Sequence, residues 1–311
     1  MTREVSGGPQ PEKPAAASYS ATSLRWTFAR SPEAGNPCYV ERMTVLLGFT
    51  SPANKMSFMG GDDIEMANGT PQNKVEPLFD QFLVGCVGEN TIFGSVEIFN
   101  SVDKDTVFLD GTKYTAPTTS EELCNQIRQI LPIIAKNTRA GLDLAIKKKI
   151  FSEEWGERIK EAKAKLFIID GHNFDIHLAD FGHLYYSEDY SYSLQKLTTE
   201  RAFRFGLDYP FKIVSRVTDE IIREPYRWGG QKMDEAREEV KRQDEVKHFA
   251  RIGKLGARYV ATPEGIKGER VPLPPNRQPR RAQGPFVSLE DVAQKLFPDP
   301  ATVDPNSLSP V

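Results

Sequence analysis

Cysteine is scarce in this sequence, and an excess of either charge is missing. Three cysteines, Cys38, Cys86 and Cys124, stand far apart among 311 residues. An odd, scattered set excludes a disulfide framework and a paired-cysteine metal knuckle, and points to buried reduced thiols in a reducing compartment. With 40 basic and 43 acidic residues the formal net charge is −3, so no global field draws the chain to nucleic acid or to an anionic membrane. Any such attraction has to be local. No apolar run approaches the roughly 18 residues that a membrane-spanning helix needs. Residues 1–20 are polar, with no apolar signal core, so the expected address is the cytoplasm, with no membrane partner. Several local signatures of chemistry are absent too. There is no Gly-x-Gly-x-x-Gly opening a βαβ unit, no phosphate loop, no nucleophile elbow and no zincin helix. No cofactor, metal ligand or catalytic residue is therefore expected from a local motif.

What is present is the composition of a globular chain, 39% apolar and 27% charged, long enough to bury a large core. Residues 1–20, rich in Pro, Gly, Ala and Ser, read as a disordered arm. Over 21–118, β-branched and aromatic runs alternate with turn residues: SLRWTFA, CYVERMTVLLGFT, FLVGCVG, TIFGSVEIF and DTVFLDGTKYTA. In the last of these, Asp110-Gly111 is a hairpin signal. The stretch SPANKMSFMGGDDIEMANGTPQNK, with Gly60-Gly61, reads as a long loop. At Thr119 the period changes. Thr119 to Glu122 fits a capping box, and Leu123, Ile127, Ile130, Leu131 and Ile134 follow at helical spacing. Pro132 should kink or divide this helix. A second helix is expected over about 140–150 and a third from Ser152. One β-hairpin is expected at about 164–186, then helices over about 193–224 and 233–254. Residues 256–311 read as an extended basic, Pro-rich tail carrying a short capped helix at 288–297. The expected class is thus α+β, a strand-rich N-terminal part followed by a helix-rich C-terminal part, with domains at 1–20, 21–118, 119–255 and 256–311.

Three of the four histidines, His172, His177 and His183, lie in GHNFDIHLADFGH with Asp170, Asp175 and Asp180. On residue type alone this is the place for a metal or an acid–base pair. A two-residue hairpin turn at Gly171-His172 opposes it. His172 then sits at the tip and His177 five residues down the strand, about 17 Å away at about 3.4 Å per residue. Ligands of one zinc ion must lie within about 4 Å of each other. The string IHLADFGHLYY is similar to the Asp-Phe-Gly segment of kinases, the lipid-kinase form above all, which would put magnesium on Asp180. No Gly-rich loop or His-Arg-Asp loop precedes it, so it carries no family assignment.

The tail offers candidate partner-binding residues. Pro272-Leu273-Pro274-Pro275-Asn276-Arg277 fits a Pro-x-x-Pro-x-Arg ligand of aromatic grooves. Arg277, Arg280 and Arg281 form a local basic patch suited to phosphates. Pro272, Pro275, Arg277, Arg280 and Arg281 are therefore the candidate site residues, for a protein partner or for nucleic acid. A folded body flanked by two irregular arms is the architecture of a non-enzymatic structural or assembly protein, a coat or scaffold subunit that self-associates through its arms into a homo-oligomer. The alternatives are a metal-dependent enzyme using Asp175, His177 and Asp180, and a nucleic-acid-associated protein acting through the tail.

Overall fold

The computed structural model describes residues 45–63, 73–88, 90–149, 152–161, 163–206, 211–244, 252–273 and 280–302. It is built on two antiparallel sheets. The six-stranded sheet holds, in spatial order, β11 (Gly265–Glu269), β10 (Leu255–Thr262), β2 (Met56–Asp62), β1 (Val45–Ser51), β8 (Arg201–Gly206) and β9 (Lys212–Arg216). The five-stranded sheet runs β3 (Val75–Leu78), β4 (Phe82–Gly88), β5 (Lys163–Asp170), β6 (Asp175–His183) and β7 (Ser193–Leu197). Leu46, Met59, Leu83, Phe167, Ile169 and Phe203 fill the space between the sheets.

Each sheet buries its other face under helices. Phe82, Val84, Leu166 and Ile168 of the five-stranded sheet pack against α1 (Gly94–Phe99), α2 (Ser120–Lys147) and α6 (Leu289–Leu296). Val45, Leu47, Phe49 and Phe58 of the six-stranded sheet pack against α4 (Asp219–Arg223) and α5 (Pro225–Asp244), where Trp228 meets both phenylalanine rings edge-on. The remaining helix, α3 (Glu153–Glu161), follows α2. The chain is thus layered helix, sheet, sheet, helix. No helix of the described residues is long and apolar enough to cross a membrane.

This overturns the expected class. The C-terminal part is not helix-rich, because five strands lie where helices or tail are expected. Strands β7, β8 and β9 replace the helices expected from residue 193, and only α4 at Asp219–Arg223 is helical within 193–224. Strand β8 sits between β1 and β9 and is buried on both faces, with Ala202 under α5 and Phe203 and Phe205 between the sheets. A strand buried on both sides loses the alternation that would reveal it. Residues expected in the tail form β10 and β11, an antiparallel pair joined by a two-residue turn at Pro263-Glu264, with Gly265 at φ +122°. Their glycines punctuate strands rather than a linker. Gly256 lies at a register shift between β10 and β2, where a Cβ would come within 2.6 Å of Asp63.

Gly60 and Gly61 likewise lie in β2, not in a loop. A Cβ on Gly60 would meet Leu255 at 2.6 Å, so small residues are demanded by close packing across the sheet. TIFGSVEIF is a 3-10 turn followed by α1 rather than a strand. The helix α2 is one 28-residue element, not two. Pro132 lies on its exposed side, where water can serve the Arg128 carbonyl that lost its amide partner. Other expectations agree with the structure. Thr119 accepts from the Glu122 amide at 3.1 Å, and the Glu122 carboxylate accepts from the Thr118 amide at 2.7 Å. FLVGCVG is β4, β5 and β6 form the expected hairpin, and Ser288 caps α6. The arm at 1–20 and SLRWTFA lie outside the described residues.

Candidate functional site

The β5–β6 hairpin turns through four residues, 171–174, and pairs Asp170 with Asp175. Asp170 is buried and fully used: its Oδ1 accepts from the His172 amide at 2.9 Å and from Gln81 Nε2 at 3.2 Å, and its Oδ2 from Asn173 Nδ2 at 2.7 Å. His172 is exposed at the tip. Asp175 and His177 share one face of β6, and Lys196 of β7 reaches Asp175 at 2.7 Å. The loss of hydration around the half-buried His177 ring lowers its pKa from the usual imidazole value. Asp180 points away from this pair, bound to Lys165 at 3.1 Å and accepting from the Gly182 amide at 2.9 Å. The strand therefore divides Asp175 and His177 from Asp180. Among the described residues no three His, Cys, Asp or Glu side chains are placed to hold a metal ion.

The tail residues are also divided. Pro275 and Arg277 lie outside the described residues, and Pro272 is exposed just beyond β11. Arg280 is committed inside the chain. Its Nη1 donates to the Leu296 carbonyl at 3.1 Å, its Nε lies 3.5 Å from Glu97, and its guanidinium covers the Phe297 ring at 5.1 Å. Arg281 is exposed. Segment 280–302 is not an irregular arm but part of the body: Asn137 of α2 donates to the Phe297 carbonyl at 2.5 Å, and the Ala282 amide donates to Ser101 Oγ at 2.9 Å.

Sequence reasoning missed a second arginine–carboxylate clasp beside that one. Arg270, just past β11, pairs with the buried Glu76 of β3 and donates to the Tyr259 hydroxyl at 3.3 Å. Burial outweighs Arg270 and pushes the Glu76 carboxyl up to about 7; it also raises the pKa of Glu97. Elsewhere Lys74 binds Asp62 at 2.9 Å, Lys160 binds Asp143 at 2.7 Å, and Arg204 pairs with Glu239. Every buried charged side chain of the described residues is thus answered within the chain.

The exposed side chains are arranged differently. Of six large apolar residues left exposed among the described residues, five fall into two groups and Tyr186 stands apart. Val107 and Leu109 lie on the small Asp110-Gly111 hairpin, where Val107 bridges to Lys113. The Leu109 amide donates to the Phe286 carbonyl at 2.8 Å, which brings Val287 alongside. Leu109 is 63% exposed. The second group is Phe211 and Ile213 at β9, an edge strand of the six-stranded sheet, with Ile213 55% exposed. Facing β9 on β8, Arg201 stands directly opposite Arg216, both exposed. The signal for the first group was present in the sequence, as outward Val107 and Leu109 before a hairpin turn. The second required knowing that β9 is an edge. No family model matches the chain, and no curated protein matches it.

Proposed function

We propose that this protein is a non-enzymatic structural or assembly protein, of the coat or scaffold kind, which forms a homo-oligomer through its folded body. The observation that supports the reading is the sorting of its side chains. Among the described residues, buried charged side chains are paired or hydrogen-bonded within the chain, whereas five of the six large exposed apolar side chains collect in two patches. Contiguous exposed apolar groups on a folded chain mark contact with another macromolecule. Among the described residues no strand lies beyond β9, and an edge strand is a template for pairing with another chain. Residues 280–302 contribute to the body rather than reaching away from it. Buried thiols at Cys86 and Cys124 suit a cytoplasmic setting.

The metal-dependent reading has less support, because Asp180 faces away from Asp175 and His177. So has the nucleic-acid reading, because Arg280 is committed to Glu97 and the Leu296 carbonyl. Light scattering on the full chain, from low to high micromolar concentration, tests the proposal. A mass that rises above the monomer with concentration is expected. A monomer throughout would remove the assembly reading.

A further inference from the structure

Resting on the self-association proposed above, we infer that the two apolar patches are the two halves of one head-to-tail interface, the hairpin patch of one copy seating on the β9 patch of the next. The patches are complementary in charge as well as apolar. The hairpin carries Asp103, Asp105 and Asp110 against Lys104 and Lys113, with Lys113 and Asp105 paired at 3.5 Å, so one carboxylate is in excess. Glu290 adds a further exposed carboxylate beside Val287. The β9 patch is basic. Arg201 and Arg216 are a directly opposed cross-strand pair, with Cβ atoms about 5 Å apart by sheet geometry. Like charges so placed repel one another, and an incoming carboxylate relieves the repulsion. Phe211, its ring tilted against Phe203 with centroids 4.9 Å apart, and Ile213 supply the apolar centre.

The two patches occupy different layers of the fold. The hairpin patch lies beside α6 on the helical layer of the five-stranded sheet, and the β9 patch at the rim of the other sheet. Contact between unlike patches is heterologous, and it builds rings or open filaments rather than a closed twofold dimer. Like-with-like pairing is disfavoured on both sides, since it would set arginine against arginine or carboxylate against carboxylate.

Two full-length variants test this. Leu109→Asp removes the hairpin patch, and Ile213→Asp removes the β9 patch; both positions are exposed, so the monomer fold, checked by circular dichroism, is retained. Each variant alone is expected to be monomeric by sedimentation velocity, while an equimolar mixture forms a dimer and nothing larger, because one good patch of each kind remains. Two charge-swapped variants, Asp110→Arg and Arg216→Glu, are each expected to weaken assembly and to recover it when mixed. If the unaltered protein assembles but either Asp variant alone still does so, the head-to-tail pairing is wrong while self-association stands. If the unaltered protein never assembles, the proposed function fails, and the pairing with it.

Discussion

Arg201 of β8 and Arg216 of β9 face each other directly across two hydrogen-bonded strands, both exposed at the rim of the six-stranded sheet. Two like charges in that position cost stability in an isolated subunit. In the proposed assembly, a partner that brings negative charge would relieve this repulsion.

That relationship gives two effects of opposite sign for one substitution. Arg216→Thr relieves the repulsion, so the monomer gains roughly 0.2–1 kcal/mol in stability. The same change weakens self-association, and the loss is larger at low salt, where unscreened charge counts most. Thermal unfolding at low concentration and sedimentation at high concentration read the two effects separately. An arginine pair with a purely structural role would not show the second.

The Glu76 carboxyl sets a pH dependence. Its folded pKa lies near 7, above the ordinary value of 4.5, because burial outweighs the attraction of Arg270. Between these values the native chain holds a proton that the unfolded chain has released, so this group makes stability fall as pH rises from about 4.5 to about 7. Glu97, Arg270 and the Tyr259 hydroxyl, itself pushed up to about 12, are the neighbours that couple to it. Glu76→Gln removes the ionisation and flattens that part of the curve. Urea midpoints at pH 5 and pH 8 check it: the drop between them shrinks in the variant.

Pro132 gives a test of helix continuity. An interior proline costs a helix about 3 kcal/mol, and α2 runs unbroken through it. Pro132→Ala restores the amide to the Arg128 carbonyl on an exposed surface, so it raises stability by about 1–3 kcal/mol. Two helices meeting at Pro132 would gain nothing from alanine, or would lose.

Arg280 fastens the C-terminal segment. Arg280→Ala removes its bond to the Leu296 carbonyl, its pairing with Glu97 and its contact with Phe297. The cost is roughly 1–3 kcal/mol, the scale for losing a charged hydrogen bond that leaves a largely buried carboxylate behind. Amide exchange over 280–302 rises more than over β5 and β6. Equal rises in both would place Arg280 in the global core instead.

The parts of the fold legible in sequence are those with a single buried face. Leu123, Ile127, Ile130, Leu131 and Ile134 recur at helical spacing because α2 buries one stripe and wets the rest. In the β5–β6 hairpin, Ile169 and Ile176 face the intersheet core while Leu166 and Ile168 face α2, and the sides of its residues follow from the sequence although the turn is two residues longer than expected. Strand β8 is buried on both faces and so carries no period. The β10–β11 pair is hidden by Gly256, Pro263, Gly265 and Gly268, residues that usually mark loops but here sit at a bulge, a turn and a close strand crossing. The patch at Phe211 and Ile213 is illegible for a related reason: a residue at a sheet edge differs from one in the centre only through the order of strands.

We propose that the folded body associates with copies of itself. Sedimentation velocity of the full chain, at rising concentration in low and in high salt, tests it most directly. Species heavier than the dimer should appear as concentration rises and should recede in high salt, as open-ended contact through charged, apolar patches requires. A single monomer boundary at every concentration and salt would contradict it.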